Sequence, residues 1–147
     1  MNKLSLDMGI PAPPERIWAV SVDVERWPEW TPTVTHIARL DDGPLRVGSR
    51  ARISQPKLPP ATWCITELVD GRSLTWVRQS PGLRVVARHD VGPIAQGRRV
   101  TLSLEFSGLL GFLVARMTRD LDIHYLGLEI SGLSQRFPPT AGHLRRD

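Results

Sequence analysis

Cysteine is nearly absent from this chain: Cys64 stands alone among 147 residues. No intramolecular disulfide can form, and no Cys/His cluster has the spacing of a zinc site. Both absences point to a reducing, cytoplasmic setting. A secretory or transit segment does not fit the N-terminus, because Asp7 and then Pro11, Pro13 and Pro14 interrupt any apolar run after Lys3. Long apolar runs are missing too. The longest patch, Leu109 to Ala115, falls far short of the roughly 20 residues that cross a bilayer, and Arg116 and Arg119 follow at once, so no membrane span is expected.

Motifs that announce chemistry are equally scarce. Gly108-Leu109-Leu110-Gly111 lacks the lysine and the strand-to-helix setting of a phosphate loop. There is no G-x-S-x-G nucleophile elbow, and Cys64 has no histidine partner in sequence, which leaves it a small inert residue. Asp41-Asp42 and Asp120-Leu121-Asp122 lack the ligand spacing of a calcium loop. Neither a metal nor a cofactor is therefore expected. The formal net charge is +4, yet the arginines from Arg39 to Arg88 come as singles with no basic cluster interleaved with aromatics, which argues against nucleic acid as a partner.

What is present reads as a folded globular chain, 41% hydrophobic and 23% charged. At this length it buries roughly two thirds of its unfolded surface in one core. One domain is expected over residues 1–137, then a frayed tail over residues 138–147 that carries Arg145 and Arg146.

Leu4, Leu6, Met8 and Ile10 alternate with Ser5, Asp7 and Gly9, the period-two mark of a strand with one buried face. Pro14 suits the first position of a helix, where Ile17, Val20 and Val24 point inward and Glu15 complements the helix dipole. Asp23 is placed to cap a second short helix, which Pro28 is expected to stop. Beyond Val34 the text becomes β, with strands near 34–40, 49–55, 61–69, 73–80, 83–91 and 98–106. Asp70-Gly71 and Pro81-Gly82 read as hairpin turns, hence an antiparallel meander.

Residue parity sets the dry face of that sheet. Val100, Leu102, Leu104 and Phe106 share a face, as do Leu83, Val85, Ala87, His89 and Val91. Trp63 goes with Ile65, and Leu74 with Trp76. The segment from Leu110 to Arg136 is the only long helical stretch without proline, and its expected inward stripe is Leu110, Leu113, Val114, Met117, Leu121, His124 and Leu128, with Tyr125 and Gly132 beside it. Asp122 and Glu129 are expected on the outer side.

Five segments follow one another in an order that is itself informative: Ile10-Pro11-Ala12-Pro13-Pro14-Glu15-Arg16-Ile17-Trp18, Asp23 with Trp27-Pro28-Glu29-Trp30, Val47-Gly48-Ser49-Arg50, Leu74-Thr75-Trp76 and Gly97-Arg98-Arg99-Val100-Thr101. In this the chain resembles the START / Bet v 1-like superfamily, specifically its polyketide cyclase/dehydrase-like (SRPBCC) branch, over about residues 3–136. The resemblance implies an α+β helix-grip fold, a curved antiparallel sheet of about seven strands wrapped around a long C-terminal helix, with two short helices after the first strand. It also implies a cavity between sheet and helix for a small hydrophobic or aromatic ligand, lipid- or polyketide-like. Two alternatives stay open. One is a cofactor-independent polyketide cyclase, aromatase or dehydratase; the other is a protein-interaction module, for which the sequence gives no clear exposed apolar patch. A monomer and a homodimer both fit.

The candidate ligand-binding residues are Trp63, Trp76, Arg78, His89, Leu102, Met117, Leu121, His124 and Tyr125. Trp63 and Trp76 offer stacking platforms for a flat guest, or are plain core. Arg78 shares the parity of Trp76 and either pairs an anionic head group at the rim or points outward at a strand end. Catalytic candidates are His89, His124 and Tyr125: a histidine near neutrality suits general acid–base work, and a His with a Tyr facing a cavity polarises a ligand carbonyl. The bland reading of His89 is a satisfied core histidine. Trp27 and Trp30 are expected to clamp the corner between helix and strand.

Overall fold

Residues 2–94 and 97–137 are described by the computed structural model, so the tail expected over 138–147 lies outside them. The first strand, β1 (Asn2–Ile10), shows the alternating burial that its sequence period dictates. Pro14 then opens α1 (Pro14–Val22), which buries Ile17 and Trp18. A short 3-10 helix over Val24–Glu29 buries Val24 and Trp27.

Two expectations about this corner are corrected. The Asp23 side chain makes no capping hydrogen bond; its carboxylate lies 3.4 Å from Nε of Arg26 instead. Pro28 does not stop the helix but sits inside it. So short a 3-10 segment has few internal hydrogen bonds for a proline to remove.

The remaining strands are β2 (His36–Arg39), β3 (Arg50–Ser54), β4 (Ala61–Val69), β5 (Ser73–Ser80), β6 (Leu83–Ile94) and β7 (Gly97–Ser107). With β1 they form one seven-stranded antiparallel sheet in the order β1-β7-β6-β5-β4-β3-β2. The meander is local except for β1, which returns to pair with β7 from Asn2 opposite Phe106 to Ile10 opposite Arg98. Gly71 and Gly82 hold φ of +74° and +76° in the two hairpin turns, a conformation that costs glycine nothing. A register shift between Ile65 and Glu67 adds twist to β4.

A long helix, α2 (Gly111–Gln135), crosses the inner face of this sheet. Sheet and helix together are the helix-grip architecture. The rotation of α2 about its own axis, however, differs from the expected one. Leu110, Leu113, Met117 and His124 are exposed, whereas Asp122, Tyr125, Leu126, Ile130 and Leu133 are buried. Asp122 and Glu129, expected outside, face the sheet.

The physical reason is that apolar residues are spread around α2, so periodicity alone selects no phase. Close backbone approach selects it. A Cβ on Gly132 would overlap the Trp30 carbonyl oxygen, and one on Gly111 would press on the Phe106 backbone at 3.2 Å. Both glycines therefore have to face inward. The rotation leaves an exposed apolar patch around the start of α2, with Leu109 at 96%, Phe112 at 62% and Met117 at 75% exposure.

Candidate ligand cavity

Between the inner face of the sheet and α2 lies a cavity of about 310 Å³. Strand alternation aims Trp63 of β4, Trp76 and Arg78 of β5, His89 of β6, and Leu102 and Phe106 of β7 at it. Trp27 enters from the 3-10 helix, and Leu58 and Pro59 enter from the β3–β4 loop. The helix contributes Thr118, Asp122, Tyr125 and Glu129. At 3.6 residues per turn these four fall on one face of α2. The face that covers the cavity is thus polar, which is why an apolar stripe was a poor guide to it.

Aromatic rings form much of the opposite wall. Trp27 stacks on His89 with centroids 4.9 Å apart and planes at 17°. It also meets the edge of Trp76 at 5.3 Å, and Trp76 lies 6.3 Å from Trp63. Nε1 of Trp27 donates to the Ser21 carbonyl at 3.1 Å, which ties its polar handle away from the cavity.

Three polar contacts organise the helical wall. His89 Nε2 faces Glu129 Oε1 at 3.4 Å. Thr118 Oγ1 lies 2.6 Å from Asp122 Oδ2 and 2.9 Å from the Val114 carbonyl. One hydroxyl proton cannot serve both acceptors fully, so the set is complete when Asp122 carries a proton of its own. Burial works in the same direction, pushing the Asp122 carboxyl above its ordinary range, while the Thr118 hydrogen bond opposes this more weakly. Finally, the Tyr125 hydroxyl donates to the Pro56 carbonyl and fastens α2 to the β3–β4 loop. Its pKa is raised by burial and then by the charge of Asp122.

Of the residues singled out from sequence, Trp63, Trp76, Arg78, His89, Leu102 and Tyr125 border the cavity. Met117, Leu121 and His124 do not: Met117 and His124 are exposed and Leu121 is half-buried outside it. The His124 ring is 6.2 Å from Tyr125 but is exposed and does not border the cavity. Sequence reasoning missed Trp27, Phe106, Thr118, Asp122 and Glu129. Parity already placed Phe106 on the dry face, and the inward glycines Gly111 and Gly132 held the phase that brings in the other three helix residues. Nothing local signals that Trp27 reaches His89. Among the described residues, no group of three or more His, Cys, Asp or Glu side chains is assembled to hold a metal ion. No described helix is long and apolar enough to cross a membrane.

An antiparallel sheet closed over one long helix with a cavity between them defines the helix-grip class of proteins. The chain belongs to the family described as polyketide cyclase / dehydrase and lipid transport, whose family model matches residues 1–124. Comparison with curated proteins finds no match. Solved structures share the fold. Ginseng major latex-like protein 151 from Panax ginseng superposes with a TM-score of 0.77 at 15% identity, covering 93% of this chain and 97% of its own. A START superfamily protein from Mycobacterium smegmatis gives 0.70 at 16% identity, with 92% and 96% covered. The di-domain ARO/CYC BexL from the BE-7585A biosynthetic pathway gives 0.66 at 16% identity, with 92% of this chain matched to 46% of BexL.

Proposed function

We propose that this protein binds a small hydrophobic or aromatic molecule, lipid- or polyketide-like, in the cavity between the sheet and α2. The observation that carries this reading is about 310 Å³ of unfilled space bordered by Trp27, Trp63 and Trp76. Protein cores leave few voids larger than a water molecule, and rigid rings around such a space offer flat apolar area at low entropic cost. Membership of a family described by cyclisation, dehydration and lipid transport supports the same reading. The test is tryptophan fluorescence during titration with flat aromatics and fatty acids, beside native mass spectrometry of protein purified from its own host. Saturable quenching that Trp63→Ala and Trp76→Ala weaken is the expected result. No saturable change and no co-purifying mass would rule the reading out.

A cofactor-independent cyclase, aromatase or dehydratase is the second reading, and one arrangement favours it. His89 with Glu129, and Asp122 with Thr118, set proton-exchanging groups on two walls of the same cavity. In this reading His89 takes a proton from a poly-β-ketone and the Asp122 carboxyl hydrogen-bonds a carbonyl oxygen. His89→Gln then abolishes turnover while probe affinity stays within about threefold. Equal loss of binding and turnover would return the site to simple binding.

A further inference from the structure

Arg78 lies on the inner face of β5, opposite Val85 of β6, while Leu74 on the same strand stands opposite His89. Four residues at about 3.3 Å each separate these levels, so Arg78 lies some 13 Å along the strand from His89. It borders the cavity, as do Leu58 and Leu83.

Among residues whose burial is described, only Arg39, Arg78 and Arg88 escape full exposure. Arg39 has Asp41 at 3.9 Å, and Arg88 has Asp90 at 2.8 Å and Glu67 at 2.9 Å. Arg78 has no carboxylate partner among the described residues, although it stands beside the cavity with Trp76 and Val85. A guanidinium keeps its charge at any physiological pH, and a half-buried charge without a counter-ion costs desolvation free energy.

The facing wall does not supply that counter-ion. Glu129 is turned to His89, and the Asp122 carboxyl, hydrogen-bonded to Thr118, is held toward its neutral form by burial. Among the described residues the cavity therefore presents one unmatched positive charge, that of Arg78, and an aromatic wall beyond it.

We infer that the molecule this cavity accepts carries an anionic oxygen group, a carboxylate or an ionised phenol, that docks on Arg78 while its flat body lies against Trp63 and Trp76. The inference rests on the binding reading above and narrows its ligand class. Arg78 is then a specificity-determining residue: its five donors in a fixed fork suit two oxygens of one acid group.

The test uses naphthoate and naphthalenemethanol, one ring system with and without the acid, titrated against the whole protein by tryptophan fluorescence. Wild type, Arg78→Gln and Arg78→Lys are compared. Wild type is expected to bind naphthoate at least about tenfold more tightly than the alcohol, the scale of a charge-assisted hydrogen bond. Arg78→Gln brings naphthoate down to the level of the alcohol and leaves the alcohol unchanged; Arg78→Lys keeps part of the preference. Saturable binding of both probes with equal affinity to wild type overturns the inference and leaves the binding reading standing. Failure of both probes to bind overturns both. Equal weakening of both probes by Arg78→Gln makes Arg78 a packing residue and also overturns it. Should the glutamine variant fail to fold, the wild-type ratio of the two affinities decides alone.

Discussion

His89 and Glu129 meet at the wall of the cavity, Nε2 to Oε1 at 3.4 Å, with side chains only 6% and 14% exposed. One comes from a strand and the other from α2, so the pair clasps helix to sheet. Removing one member strands the other in a dry place, whereas replacing both with apolar groups of similar size is near neutral. His89→Leu and Glu129→Leu are each expected to cost about 2–4 kcal/mol, and the double variant less than their sum, with a coupling of about 1–3 kcal/mol. Chemical denaturation of the four proteins measures the cycle. Additivity within about 0.5 kcal/mol would show that the two side chains do not act together.

The rotation of α2 makes an unusual contrast between apolar residues. Met117 is 75% exposed and Leu126 is 5% exposed. Met117→Gln should change stability by no more than about 0.5 kcal/mol, and Leu126→Ala should lower it by about 2–5 kcal/mol. Thermal and urea unfolding compare the two. The reverse order would mean that the helix presents its other face to the sheet.

Asp122 makes stability depend on pH with a defined sign. Its folded pKa is raised above the ordinary 3.8 by burial, so the fold favours the protonated carboxyl. That contribution is complete below the unfolded value and is lost as pH rises through the folded one. Asp122→Asn keeps a neutral donor beside Thr118 and has no proton to lose. The stability of the variant relative to wild type should therefore improve between about pH 4 and about pH 7. Urea midpoints at the two pH values test this; a difference that stays constant or moves the other way contradicts it.

Two glycines of α2 should respond oppositely to alanine. A Cβ on Gly132 would strike the Trp30 carbonyl oxygen, whereas one on Gly127 meets nothing within 4 Å. Gly127→Ala should stabilise by up to about 1 kcal/mol through helix propensity. Gly132→Ala carries the same propensity gain and should still destabilise by about 2 kcal/mol or more, because backbone has to move. Circular dichroism melts of both variants decide it. A stabilised Gly132→Ala would show that α2 does not lie tight against the Trp30 turn.

Much of the scaffold was legible in residue order. Period-two alternation located β1 and β7, and the glycine-containing turns placed both ends of β4 and β5 and the start of β6, which runs on three residues past its expected end to Ile94. Parity alone placed Trp63, Trp76, His89 and Leu102 on the inner face, because side chains in a strand can only alternate. Helix phase lacked such a rule. With Leu113 and Met117 outside and Asp122 and Glu129 inside, the polarity of α2 runs against the usual amphipathic pattern.

The sequence by itself determined the strand series, the turns, the long helix and the family resemblance, since each depends on local period and local backbone chemistry. Only tertiary structure decided which face of α2 meets the sheet, that Trp27 stacks on His89, and that Arg78 has no carboxylate partner among the described residues. Those facts depend on close approach between segments far apart in the chain. The contact that fixes the helix phase, the Trp30 carbonyl against Gly132, leaves no periodic trace in the sequence.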